Sequence, residues 1–244
     1  MDMEKQFFQN FLAVLLITSV SFFPAFADEP TNQDRKTVSD CDIEGRTFSV
    51  GSGAIVLKAQ EFMSENDYLD ALKELEIAAA LLNLNAFEKA VIYQMQGSVF
   101  YELDQYANAV AAFDLALASG GLCPDEYKNL RKNIAQLLIA DGRYEQGALM
   151  LETLFAEDPN MDKKFEVMIF QAWIQAEQYS RALPWAERWF NAASPKQRKH
   201  FDVLNFLYHN LGMTEKQADI VQQMINRWPE DKSLWDMRAK LLAK

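Results

Sequence analysis

The sequence predicts an all-α fold, a solenoid of about five stacked helix pairs closed by a C-terminal capping helix. Three observations carry this. Nine Gly and seven Pro in 244 residues are too few for a sandwich or barrel that needs a turn about every ten residues. A Tyr three residues ahead of a small residue recurs inside apolar stretches of helical period, at Tyr68-Ala71, Tyr106-Ala109, Tyr144-Gly147 and Tyr179-Ala182. The Tyr spacings are 38, 38 and 35 residues, and each copy follows a short polar turn such as Asp141-Gly142-Arg143. Chance seldom repeats both a motif and its surroundings, so a period of this length marks a repeat architecture.

The first element is an address. Residues Phe7 to Phe23 are apolar except for Gln9, Asn10, Thr18, Ser19 and Ser21. Ala25-Phe26-Ala27 then fits the small-x-small rule, so residues 1–27 read as a signal peptide cleaved after Ala27. Lys5 is accompanied by Asp2 and Glu4, which departs from a clearly basic start. The alternative is an uncleaved inner-membrane anchor, for which the core Phe11 to Phe23 is short against a span of about 20 residues.

Residues 28–53 are polar, lack a sustained period and read as a flexible leader. Gly51 and Gly53 do not make a G-x-G-x-x-G loop, so no phosphate site is assigned. Export places Cys41 and Cys123 where a disulfide can form. That bond would close a loop of about 80 residues and stabilise by a few kcal/mol on the chain-entropy model; two free thiols are the alternative.

The helix pairs are expected at about 54–85, 90–121, 128–159, 163–194 and 198–229, with the cap at 232–244. The second is the clearest: Tyr93, Gly97 and Phe100 fill the packing positions of its first helix, and Ala109, Phe113 and Ala116 those of its second. The third has Gly147, Leu151 and Leu154 before Pro159, and the fourth Ala182, Ala186 and Trp189 before Pro195. Pro at these ends interrupts the hydrogen-bond ladder and separates units. In the fifth the stretch Gly212 to Ala218 keeps the turn and loses the Tyr; Val221 and Met224 precede Pro229. Trp235 then falls at the first packing position of a sixth first-helix, whose polar face (Asp236, Arg238, Lys240) suits a terminal cap. The five Trp all lie in the last third and are expected to pack between helices; Pro184 predicts a kink or a shifted start in the second helix of the fourth unit.

These residues resemble the tetratricopeptide repeat (TPR), a 34-residue helix–turn–helix unit, over about 54–244. The resemblance implies a right-handed α-solenoid of TPR-like pairs whose first helices line a concave groove for a protein or peptide partner. The groove stripe expected from this register includes Gln94, Ser98 and Tyr101, then Asn129, Lys132, Gln136 and Ile139. It continues through Lys164, Val167, Gln171, Ile174 and Gln175 to Asp202, Phe206 and His209. Amide side chains both donate and accept, so Gln94, Gln136, Gln171 and Gln175 can satisfy a bound peptide backbone; Tyr101 and Gln171 are the expected hot spots. Lys132 and Asn133 match half of the set with which some members clamp a C-terminal carboxylate, and the other half is missing. The run Arg181 to Trp189, with Trp228-Pro229 and Trp235, is similar to TPR proteins accompanying TonB-type energy-transduction systems in the bacterial periplasm. That implies an exported, periplasmic scaffold in an envelope transport complex.

Several function classes are disfavoured. A formal charge of -11 has the wrong sign for nucleic acid. His200 and His209 are too far apart for H-E-x-x-H, and no G-x-S-x-G, Walker sequence or C-x-x-C is present. The expectation is therefore no enzyme, no cofactor, no metal and no small-molecule substrate. Membrane contact is expected only through an uncleaved N-terminal segment. The basic turn Pro195 to His200 reads as a solvated loop with a secondary chance of meeting an acidic surface. The rival role is a structural or assembly subunit that stacks with itself or is held at the membrane by that segment.

Overall fold

The computed structural model describes residues 45–243. Among them eleven helices follow one another without a strand. They are α1 (Val50–Ser64), α2 (Tyr68–Ala79), α3 (Ala86–Glu102), α4 (Tyr106–Ala118), α5 (Pro124–Ala140) and α6 (Tyr144–Glu157). After these come α7 (Lys164–Gln175), α8 (Tyr179–Ala192), α9 (Arg198–Asn210), α10 (Thr214–Arg227) and α11 (Lys232–Leu242). Each packs chiefly on the helices before and after it in the chain, which makes a one-dimensional stack of five pairs and a terminal helix. This is the α-solenoid read from the repeat.

One turn geometry, used five times, sets the pairs. The second residue after each first helix has a left-handed backbone: Asn66 (φ 63°), Asp104 (φ 56°), Gly142 (φ 78°), Glu177 (φ 58°) and Gly212 (φ 66°). The next residue donates its N–H back to a carbonyl in the closing helix: Asp67 to Phe62 (2.8 Å), Gln105 to Phe100 (2.8 Å), Arg143 to Leu138 (2.8 Å), Gln178 to Trp173 (2.8 Å) and Met213 to Tyr208 (2.9 Å). These bonds satisfy carbonyls that a helix end leaves open. Where the left-handed residue is Asn or Asp, the signature Tyr uses it. Tyr68 Oη donates to Asn66 Oδ1 (2.9 Å) and Tyr106 Oη to Asp104 Oδ1 (3.1 Å).

The small residue of each motif lies where the paired helices cross. Ala71, Ala109 and Ala182 are fully buried. At Gly147 an added Cβ would stand 2.6 Å from Ile139 Cγ1 and 2.8 Å from the Ala135 carbonyl oxygen, so only hydrogen fits. Gly97 answers on a first helix, where a Cβ would collide with the Phe113 ring. In the fifth pair the equivalent position is occupied by Gln217, rather than by the Ala218 that ends the motif in sequence. Gln217 N–H bonds to the Met213 carbonyl as its counterparts do. Its buried side chain donates from Nε2 to Asn205 Oδ1 (3.1 Å), which replaces close approach by a hydrogen bond.

Several boundaries differ from the sequence reading. α1 begins at Val50, because Ser49 accepts from the Ser52 N–H and caps it, so residues 50–53 belong to the first pair rather than to the leader. Residues 45–49 are also held. Arg46 donates to the Gly121 carbonyl (2.9 Å), forks onto Glu126 (2.7 and 2.9 Å) and lies 4.7 Å from the centre of the Phe87 ring. The third pair starts at Pro124, ahead of 128, because Pro suits the first helical position and Glu126 accepts from the Cys123 N–H (2.8 Å). Pro184 sits inside α8, whose start at Tyr179 is unshifted. Four Trp are buried or half-buried as expected, whereas Trp235 is 48% exposed. Leu234 and Leu241 provide the buried face of α11, and its indole N–H donates to the Pro229 carbonyl instead (3.0 Å). Arg238, placed on the polar outer face from sequence, is half-buried. The signal peptide at 1–27, the leader up to 44, and Cys41 lie outside the described residues.

Candidate partner-binding face

The repeated turn gives the first helices a common register. Counted back from each left-handed residue, the tenth position is Gln94, Lys132, Val167 and Asp202 in α3, α5, α7 and α9. The sixth is Ser98, Gln136, Gln171 and Phe206, and the third is Tyr101, Ile139, Ile174 and His209. In α5, α7 and α9 helical geometry sets these residues opposite the buried side. In α5, for instance, Leu130, Ile134, Ala135, Leu137 and Leu138 are buried while Lys132 and Gln136 stay half-buried. α3 is buried on two sides and keeps one open strip with Gln94, Ser98 and Tyr101. Gln171 is half-buried in α7; Gln175, the last residue of that helix, and His209 are exposed.

These positions are not equally free. Tyr101 leans on Tyr106, ring centres 6.1 Å apart, and Phe206 meets the edge of Tyr179 at 5.6 Å. Tyr106 thus turns onto the first helix of its own pair, whereas Tyr179 reaches the first helix of the next. Tyr68 shows the same reach, since burial and then the Glu102 carboxylate raise its hydroxyl pKa. Ile139 lies against Gly147 and serves the pair crossing more than an open surface. Lys132 Nζ donates to Asn129 Oδ1 (3.3 Å).

Two open cavities lie away from this strip. One, of about 380 Å³, sits among α8, α9 and α10, lined by Glu187, Phe190, Leu204, Tyr208, Lys216 and Asp219, among others. There Glu187 accepts from Tyr208 Oη (2.9 Å) and Lys216 Nζ (3.1 Å); burial and then this carboxylate raise the Tyr208 pKa. The second, of about 320 Å³, lies at the Gly142–Gln146 turn beside Ala176. Glu187 and Tyr208 carry no shared motif in the sequence, so only the fold brings them together.

Several carboxylates within the solenoid are matched by donors. Glu152 accepts from the indole N–H of Trp173 (2.7 Å) and of Trp185 (3.0 Å) and from Arg181 (2.8 Å), whose guanidinium lies 3.7 Å from the centre of the Trp173 ring. Buried Glu166 pairs with Arg188 at 2.9 Å. Buried Glu88 accepts from the backbone N–H groups of Ser49 (2.8 Å) and Asn85 (2.7 Å) and from the Ser52 hydroxyl. Burial alone would raise its pKa, but these donors together outweigh it and bring the carboxyl down to about 2. His200 is used as a cap: its Nδ1 accepts from the Gln197 N–H (2.8 Å), and burial lowers its pKa. Among the described residues no three His, Cys, Asp or Glu side chains are grouped to hold a metal ion.

No family model matches the sequence, and no curated protein matches it. Solved structures do. A tetratricopeptide repeat protein from Parabacteroides merdae ATCC 43184 superposes with a TM-score of 0.52 at 18% identity, covering 79% of this chain and 73% of its own. The fold is that of a tetratricopeptide-repeat solenoid. YrrB, described as a TPR protein with an unusual peptide-binding site, gives 0.51 at 17% identity over 76% of this chain and 90% of its own. MamA residues 41 to the end, from Desulfovibrio magneticus RS-1, gives 0.50 at 17% identity over 76% and 99%. At such identities the likeness fixes the fold of this TPR-like solenoid and leaves its chemistry to its own residues. No helix among the described residues is long and apolar enough to cross a membrane.

Proposed function

We propose that the chain is a non-catalytic scaffold that holds a protein or peptide partner along the face carried by α3, α5, α7 and α9. The observation that supports this is the shared register, which repeats a polar, half-buried strip through Gln94, Lys132, Gln136 and Gln171. The amides of Gln94, Gln136 and Gln171 both donate and accept, and Gln136 and Gln171 share one register position, which suits an extended backbone. Tyr101, steadied by Tyr106, adds an aromatic anchor, with Gln175 and His209 at exposed ends of the strip. The peptide-binding site attributed to the neighbour YrrB lends support to this reading.

We further propose export to the periplasm with cleavage after Ala27, and membership of an envelope transport or TonB-type complex. The apolar run before Ala27 and the aromatic run from Arg181 to Trp235 support it. In this reading Cys41 and Cys123 pair, and there is no nucleic-acid partner, cofactor or small-molecule substrate. Retention of residues 1–27 as an inner-membrane anchor would instead make the chain a membrane-held assembly subunit.

Hydrogen exchange with and without a captured partner tests the first reading. Slowed exchange confined to α3, α5, α7 and α9 is expected, with binding weakened about tenfold or more in Gln171→Ala. Protection confined to α4, α6, α8 and α10 would overturn it. Intact mass of the exported protein tests the address, and free-thiol labelling of the unreduced, unfolded chain tests the disulfide.

A further inference from the structure

The two ends of the stack carry complementary helix faces. In each interior first helix, the positions twelve and five residues before the left-handed turn are buried under the preceding pair. They are Ile92 and Val99 in α3, Leu130 and Leu137 in α5, Phe165 and Ala172 in α7, and His200 and Leu207 in α9. In α1 these positions are Ala54 and Glu61, both exposed, because no helix precedes α1 among the described residues. Val50 (94% exposed) and Leu57 (67%) complete the strip. Helical geometry lines up Val50, Ala54, Leu57 and Glu61 on one side, opposite buried Ser52, Val56 and Ala59.

At the other end, α11 is a first-type helix with no partner second helix among the described residues. Its outward strip is Lys232, Trp235, Ala239 and Leu242, with Trp235 48% and Leu242 68% exposed. The Trp235 indole is already oriented by its bond to the Pro229 carbonyl, so little ordering is required when it is covered.

We propose that copies of this chain associate head to tail, α1 of one copy packing antiparallel on α11 of the next. Antiparallel alignment opposes Val50 to Leu242, Ala54 to Ala239, Leu57 to Trp235 and Glu61 to Lys232. The two alanines meet at the crossing, as small residues do within each pair, and the new helix takes the place of a second helix, none of which follows α11 among the described residues. The charges agree. Residues 58–76 hold six acids and two bases, whereas 232–242 hold three bases and one acid. The occupant is thus another copy, and the contact is heterologous, which builds open chains rather than a closed dimer unless the rotation closes. A few apolar side chains per partner fall below the area of a stable interface, so association is expected only at about 10–1000 µM.

Sedimentation of the full chain over that range tests this. Wild type should grow beyond a dimer as concentration rises, less so in high salt. Leu57→Asp and Trp235→Asp alter exposed side chains, and unchanged circular dichroism will show that each remains folded. Each alone should stay monomeric, and their equimolar mixture should form a dimer and stop, since the single intact face of each kind is then used and both remaining faces carry Asp. A wild type that is monomeric at 1 mM (roughly the weak end of transient interfaces) would overturn the proposal. So would self-association of either single variant at the wild-type level, which would mean like-with-like pairing, and so would a mixture that yields no dimer. Glu61→Lys should weaken association and regain it when combined with a Lys232→Glu chain.

Discussion

Replacing Gly97 by Ala tests whether close approach of the paired helices, rather than helix propensity, decides stability here. Gly97 is buried in the middle of α3. A Cβ built there falls on the Phe113 ring, against three of its carbons. The ring cannot swing into solvent, since Phe113 is only 3% exposed in α4. Inserting a methyl group into such a contact costs about 2–3 kcal/mol, in the upper half of the range for overpacking. Ala recovers about 1 kcal/mol of helix propensity over Gly, so the net loss should be about 1–2 kcal/mol. For a chain of this size that is a fall in Tm of roughly 2–8 °C, readable by thermal circular dichroism or a shifted urea midpoint. Gly51 is the internal control: it lies in the first turn of α1 with nothing within 4 Å of a Cβ. Gly51→Ala should therefore be neutral or stabilise by about 0.5 kcal/mol. Adding Phe113→Leu to Gly97→Ala should return part of the loss. A Gly97→Ala protein as stable as wild type, or a Gly51→Ala protein destabilised more, would refute the crossing argument.

Other perturbations follow from the matched polar groups. The folded-state carboxyl of Glu88 is depressed to about 2, so its contribution is present above the unfolded value near 4.5 and lost as pH falls towards 2. Urea midpoints should drop across that window and drop less in Glu88→Gln. His200 has a lowered pKa, so the unfolded chain binds its proton first and stability falls as pH drops through about 6.5. Histidine NMR titration should place the His200 midpoint below the ordinary histidine value. Glu152→Ala removes the acceptor for the buried Trp173 N–H, and should cost about 1–3 kcal/mol and change tryptophan emission, with Glu152→Gln milder.

The legible part of the molecule was whatever repeats. The Tyr motif located the turns, because the same backbone reversal has to be coded each time. The register of Gln94, Lys132, Gln136 and Gln171 could be counted from it. Boundaries at Val50 and Pro124 were missed because caps act through single hydrogen bonds that periodicity does not record. Gln217 was missed because its neighbour Ala218 is the residue type expected; only the bond to Asn205 shows which residue faces the crossing.

Sequence alone determined the architecture: a period of 35–38 residues can bury its apolar faces only by stacking neighbours. Tertiary structure decided what lies between repeats. The Glu152 cluster joins residues up to 33 positions apart, and Arg46 bonds across 80 positions to Glu126, with no spacing rule to announce either. The exposure of Val50, Leu57, Trp235 and Leu242 likewise depends on which helix covers which. Periodicity marks a residue as apolar and on a given face, but burial is a property of the neighbour across that face.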